Sequence, residues 1–145
     1  MDPVDAAFDA TPRRDFLPRG VRHRAAYDGP LAIAAGQTSS QPRTVDAMLR
    51  LLDVRPGQRV LDVGTGSGWT TALLAHLVGP TGSVLGAAYD RILVSAEPDA
   101  LPQELVAQLA DDGVPVIPVA GTMLRVTNPG AVVGEHGRYR FVPLR

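Results

Sequence analysis

Two stretches carry residue types that could hold a small ligand. The first, Arg59 to Trp69, reads Arg-Val-Leu-Asp-Val-Gly-Thr-Gly-Ser-Gly-Trp. Its apolar run breaks at Gly64, Gly66 and Gly68 and gives way to Thr70-Thr71-Ala72-Leu73-Leu74-Ala75. That pattern predicts a buried strand, a tight turn and a helix whose first amides face a ligand. Glycine suits such a turn because some positions require φ > 0, and because a Cβ would hold the ligand away from the backbone. The G-x-G-x-G spacing differs from G-x-G-x-x-G and leans away from dinucleotide phosphates, although a close strand–helix packing turn has the same look. The second stretch spans residues 26–42 and has turn signals at Asp28-Gly29-Pro30 and Ala35-Gly36-Gln37. It ends in Thr38-Ser39-Ser40-Gln41-Pro42, hydroxyls placed just before a helix, which suits a recognition loop. Ser39 or Ser40 fits equally well as the N-cap of that helix.

The elements that must position these residues follow from period and punctuation. Val45, Met48, Leu49 and Leu52 recur at i, i+3, i+4 and i+7, which predicts a helix over 41–53. A strand over 59–63 and a helix over 68–78, ended by Gly79-Pro80, flank the glycines. Residues 4–10 form one or two helical turns stopped by Pro12. Arg13, Arg14, Arg19, Arg22, Arg24 and His23 crowd around Phe16-Leu17-Pro18, and we read them as a solvated arm in preference to an anion site. Tyr89 to Ala96 reads as a buried strand with Ser95 and Ala96 at its carboxyl end. A short helix over 103–110 turns Leu105, Val106 and Leu109 inward, and two prolines make 114–119 an edge or irregular strand. Segments 121–126 and 139–144 pair antiparallel around a turn at Asn128-Pro129-Gly130.

Composition narrows the function classes. With 145 residues, 45% hydrophobic and 20% charged, the chain reads as one globular domain, 1–145. A net charge of −1 gives no general pull toward nucleic acid or acidic membranes. The absence of cysteine removes disulfides, thiolate catalysis and Cys-based zinc, and His23, His76 and His136 lack ligand spacing, so no metal site is expected. The acidic start Met1-Asp2-Pro3-Val4-Asp5 leads into no apolar targeting segment and no run spans a membrane, so a cytoplasmic protein is expected.

Taken together, the residues resemble one family. Phe16-Leu17-Pro18, Ala26-Tyr27-Asp28, Pro30-Leu31, Gly36-Gln37-Thr38-x-Ser40-Gln41-Pro42, Asp62 to Gly68, Tyr89-Asp90-Arg91-Ile92, Ile117-Pro118-Val119 and Arg140-Phe141-Val142-Pro143-Leu144 look like protein-L-isoaspartate O-methyltransferase. The Gly-Gln-Thr-x-Ser-Gln-Pro string is far more specific than the glycine loop. The resemblance implies an α/β fold, a shortened Rossmann-like methyltransferase sheet with helices on both faces and a C-terminal antiparallel strand pair. Residues 1–42 would form an arm and substrate loop, and 43–145 the core. The implied activity is methyl transfer from S-adenosylmethionine to isoaspartyl carboxylates of damaged proteins, a repair step. By the same resemblance Ser40 and Thr38 are the catalytic pair, and Gln37, Ser39 and Gln41 complete the substrate loop. Asp62, Gly64, Thr65, Gly66, Ser67 and Gly68 would hold the cofactor.

One departure is large. In the family an acidic residue after the second strand, a helix and a third strand come before the Tyr/Phe-Asp pair, whereas here Val84-Leu85-Gly86-Ala87-Ala88 runs almost directly into Tyr89-Asp90. Roughly 35 to 45 residues are absent near 86–89. Two parallel strands need a crossover of about a dozen residues, so 82–86 is a poor second strand if 91–96 is the fourth. We expect 79–90 to become a connector or irregular edge, with 59–63, 68–78 and 91–96 forming one βαβ unit. Exchange with a second protomer, completing the pocket in a homodimer, is the alternative. The loss of ribose and adenine partners implies weak or absent cofactor binding. A degenerate homologue that binds peptides or partners, a truncated gene product, and, on the glycine turn alone, a dehydrogenase are the other readings.

Overall fold

Asp2 starts the first helix, α1 (Pro3–Ala10), by accepting from the amides of Val4 and Asp5 at 2.9 and 3.3 Å. The computed structural model describes residues 1–85, 89–127 and 131–144. After two 3-10 turns, Arg13–Phe16 and Arg19–Arg24, the loop over 26–42 contains a hairpin with no periodic signal in the sequence: β1 (Leu31–Ala32) pairs antiparallel with β2 (Thr38–Ser39). The helix α2 (Pro42–Leu52) buries Val45, Met48, Leu49 and Leu52, as their spacing predicts. Its last carbonyls are held from the sheet, since Arg91 Nε donates to Leu52 O at 2.7 Å and Arg125 Nε to Leu51 O at 3.1 Å.

The strand β3 (Arg59–Val63) and helix α3 (Trp69–Val78) flank the glycines as expected. They are followed by β4 (Ser83–Val84), β5 (Tyr89–Val94), α4 (Gln103–Val106), β6 (Leu109–Val119), β7 (Thr122–Thr127) and β8 (Ala131–Arg138). The described strands form a six-stranded sheet in the order β4-β3-β5-β6-β7-β8, parallel as far as β6 and antiparallel beyond it. One face is covered by α1, α2 and α3, which bury Val60, Leu93, Val116 and Met123. The other face, with Ile92, Val94, Ile117 and Val126, packs on Val106 of α4. Each buried Leu or Ile removed from water contributes about 1.5–3 kcal/mol before entropy is counted.

The expected edge at 79–90 takes a definite form. β4 is cut to two residues, and Val84 and Arg91 lie level with the same residue, Val60, on opposite sides of β3. The chain therefore never climbs a full strand that it would have to descend again, and β5 is free to become the parallel neighbour of β3. Residues 86–88 of this connection lie outside the described residues, as does the turn expected at Asn128-Pro129-Gly130.

Three expectations are corrected. First, β6 is an interior strand despite Pro115 and Pro118. Ala120 and Gly121 both have positive φ and close a two-residue hairpin on Val119 and Thr122. In such a hairpin the closing pair exchanges hydrogen bonds, so Pro118 faces β5 and Pro115 faces β7. The β5 pairing ends at Val116 and the β7 pairing also starts there, so neither missing N–H interrupts a ladder. Second, the helix expected over 103–110 stops at Val106, because Leu109 is buried by pairing with Tyr89 and the chain then bulges to Val114. Third, the strand opposite β7 is 131–138, and 139–144 instead crosses to the end of β5, where Pro143 bridges Glu97.

Asp62 of β3 ties the glycine turn to α3. Its Oδ2 accepts from the hydroxyls of Thr71 at 2.7 Å and Thr70 at 3.1 Å, while Oδ1 is buried with no partner among the described residues. Burial pushes the carboxyl above its ordinary range, and the two hydroxyls oppose the shift. The folded state therefore keeps a proton that the unfolded chain releases above about pH 3.9, and stability falls as pH rises from there to the raised value. Asp62→Asn removes this loss. The melting temperature of the variant relative to the wild type is expected to be more favourable at pH 7 than at pH 4, and a difference independent of pH would refute the assignment.

Candidate active site

The wall of the site is set by a side chain that composition places on the surface. Arg13 is 6% exposed and makes six hydrogen bonds. Its Nε donates to Ser39 Oγ at 3.1 Å, and its terminal nitrogens donate to the carbonyls of Ala25, Tyr27, Gly29, Ser39 and Ser40 at 2.9–3.4 Å. The guanidinium also lies over the Trp69 ring, 5.5 Å from its centroid, and the indole N–H donates to Thr11 O at 2.9 Å. Burial lowers the Arg13 pKa and Asp28 opposes that shift, but an arginine remains charged. The solvated-arm reading is thus wrong for Arg13. It holds for the exposed Arg14, Arg19 and Arg24. No sequence signal singles out Arg13, because its partners are backbone carbonyls.

Neither Ser39 nor Ser40 caps α2. Gln41 stands at the cap position without a side-chain cap bond, and the cap is supplied from across the hairpin. Asp28 accepts from Arg43 N–H at 3.1 Å and pairs with Arg43 Nε at 3.1 Å, while Gln41 Nε2 donates to Asp28 O at 2.9 Å. The hydrogen bond from Arg43 N–H is the largest cause holding the Asp28 carboxyl below its usual range. Ser39 Oγ is taken by Arg13, and the Ser40 hydroxyl has no hydrogen-bond partner among the described residues. The serine most exposed to a ligand is therefore the one spared structural duty.

Gly64, Gly66 and Gly68 have φ of 82°, 51° and 85°, as the turn requires. A Cβ on Gly64 would stand 3.3 Å from the Ser95 backbone, and one on Gly66 would stand 3.4 Å from Ile33 Cδ1. The loop is thus wedged between the carboxyl end of β5 and the hairpin. Gly68 N–H closes the turn on Thr65 O at 2.8 Å, and Ser95 N–H donates to Val63 O at 2.8 Å.

These parts enclose a cavity of about 660 Å³. Of the residues expected at the site, Gln37, Thr38, Ser39, Ser40, Gly64, Thr65, Gly66 and Ser67 line it. Gln41, Asp62 and Gly68 do not: Gln41 faces Asp28, Asp62 lies beneath the loop, and Gly68 begins α3. Sequence reasoning missed Trp69 and the 142–144 segment as lining residues. That segment is held in place by Glu97, whose N–H donates to Val142 O at 2.8 Å and whose carbonyl accepts from Leu144 N–H at 3.0 Å. None of the described lining residues carries a charge. Hydroxyls and amides on one wall can orient a carboxylate, and the glycine turn opposite admits a ligand close to the backbone.

The sequence profile of the protein-L-isoaspartate(D-aspartate) O-methyltransferase family matches residues 1–88 and 86–144, so the match breaks at the shortened connection. The protein-L-isoaspartate O-methyltransferase of Methanopyrus kandleri is 35% identical over 186 aligned positions, covering 97% of this chain and 82% of that protein. The enzyme of the same name from Sodalis glossinidius is 36% identical over 177 positions, covering 95% and 85%. Setting 97% of 145 residues against 186 aligned positions leaves about 45 positions of the Methanopyrus protein without a counterpart. A crystal structure from Plasmodium falciparum, described as a putative protein-L-isoaspartate O-methyltransferase in complex with S-adenosyl-L-homocysteine, has the same fold. Its TM-score is 0.88 at 22% identity, with 100% of this chain and 91% of that chain covered. With the profile match and these relatives in hand, the chain belongs to the protein-L-isoaspartate(D-aspartate) O-methyltransferase family.

Proposed function

We propose that this protein methylates the free carboxylate of L-isoaspartyl residues in damaged proteins, using S-adenosylmethionine. The observation that carries the reading is the single cavity joining the Thr38–Ser40 wall to the glycine turn across the carboxyl ends of β3 and β5. When bound, the cofactor supplies a methyl group already activated on a sulfonium. The acceptor carboxylate is ionised at neutral pH, so no general base is needed, and the protein's work is to hold one oxygen in line. Ser40, with its uncommitted hydroxyl, and Thr38 donate to that carboxylate. Gln37 and Ser39 complete the wall, and Gln41 acts through its bond to Asp28.

The residues fit one end of the cofactor. The Gly64–Gly68 turn and the unpartnered Asp62 Oδ1 beneath it suit the amino-acid end, with its cationic amine. Among the described residues no carboxylate lines the cavity to hold a ribose diol. At about 0.5–1.5 kcal/mol per net hydrogen bond, two or three missing contacts weaken binding roughly 10- to 1000-fold. This favours a second reading, a degenerate family member that binds isoaspartyl peptides or a protein partner without turnover. We read residues 1–145 as one working domain. No helix among the described residues is long and apolar enough to cross a membrane, and we propose a cytoplasmic setting.

Calorimetry with S-adenosylhomocysteine, followed by methylation of an isoaspartyl peptide, separates the two readings. Binding with turnover supports the enzyme, peptide binding without cofactor supports the module, and binding of neither ligand at millimolar concentration sinks both. If turnover is found, Ser40→Ala should lower kcat/KM about 10- to 100-fold, the scale of one transition-state hydrogen bond, with cofactor affinity unchanged. Gly64→Ala combines a positive φ with a tight contact to Ser95, and should abolish cofactor binding while peptide binding remains.

A further inference from the structure

The helix start beside the substrate wall is already occupied. Asp28 takes the Arg43 N–H, so the α2 terminus is neutralised before any substrate arrives. The side chains of Thr38 and Ser40 offer only neutral hydroxyls, and no described residue lining the cavity is charged. What remains to favour a carboxylate is the buried cation behind the wall.

Arg13 acts on that wall through the peptide planes. One of its nitrogens donates to two successive carbonyls, Ser39 O at 3.0 Å and Ser40 O at 2.9 Å. In a trans peptide the C=O and the following N–H point in opposite directions. The amides of Ser40 and Gln41 therefore point away from Arg13. Ser39 and Ser40 line the cavity, whereas Arg13 and Gln41 do not, so of the two amides only that of Ser40 belongs to a lining residue. Neither amide donates a backbone hydrogen bond among the described residues. A cation on each carbonyl polarises its amide toward stronger donation.

We infer that Arg13 is a positioning residue that makes the Ser40 amide, together with the Ser40 hydroxyl, into a carboxylate-selective cradle. Selection for the ionised acid over its methyl ester, which is the product of the proposed reaction, then comes from a charge that never touches the ligand. The inference rests on the proposed substrate, an isoaspartyl peptide.

The test uses ¹⁵N-labelled full-length protein with an isoaspartyl peptide and its methyl ester. In the wild type the acid should move the Ser40 amide proton downfield and bind about tenfold tighter than the ester, a ratio equal to about 1.4 kcal/mol. Arg13→Met should bring that ratio close to one, whereas Arg13→Lys, which keeps the charge, should retain most of it. A role confined to holding the fold would weaken acid and ester alike. An unmoved Ser40 amide, equal wild-type affinity for acid and ester, or a preference surviving in Arg13→Met overturns the inference and leaves the proposed function standing. If Arg13→Met does not fold, the wild-type amide shift and acid-to-ester ratio decide. Failure of the wild type to bind the isoaspartyl peptide overturns both.

Discussion

A guanidinium taken out of water organises this protein's candidate site. Among the described residues Arg13 has no carboxylate in direct contact, and its cost of burial is offset by carbonyls collected from residues 25–40 and by the Trp69 ring. Because carbonyls far apart in sequence converge on one planar fork, their mutual positions are fixed more tightly than a loop of that length would fix them alone. The Trp69 contact carries the constraint across to the first turn of α3, so the hairpin and the glycine turn share an anchor. A neutral side chain at position 13 would leave several buried carbonyls unpaired at once.

The glycine side is held by a different principle. There the backbone geometry itself is unusual, with positive φ at three glycines, and the contact of Gly64 with the end of β5 leaves no room for a side chain. Asp62 adds a second tie by bridging the strand to Thr70 and Thr71. The two walls are thus rigid for unlike reasons, one through side-chain donors reaching inward and one through main-chain curvature.

Local pattern made much of this legible. The period of Val45, Met48, Leu49 and Leu52 gave α2, the apolar run and glycines gave β3 and α3, and the family-like strings named some of the residues that line the cavity together with Gln41, Asp62 and Gly68, which do not. What stayed hidden depended on partners distant in sequence. Arg13 was one arginine among several, Asp28 looked like a turn residue before it capped a helix from outside, and Leu109 fitted a helical face until Tyr89 claimed it for a strand. The prolines of β6 misled because a proline forbids only the hydrogen bond on its own side, and the sequence does not say where each ladder ends.

The truncated β4 bears on how this fold can change. Val84 and Tyr89 both stand at the amino end of the parallel strands, whereas the cavity opens at the carboxyl end, so the two described ends of the shortened connection lie at the opposite end of the strands from the site. Loop-closure entropy grows only by about 0.6 kcal/mol for each doubling of length. Chain can thus be spliced in or out at this position without disturbing the register of β3 on β5 or the two walls. The scaffold is modular at that joint, which is also where the family profile match divides into its two segments.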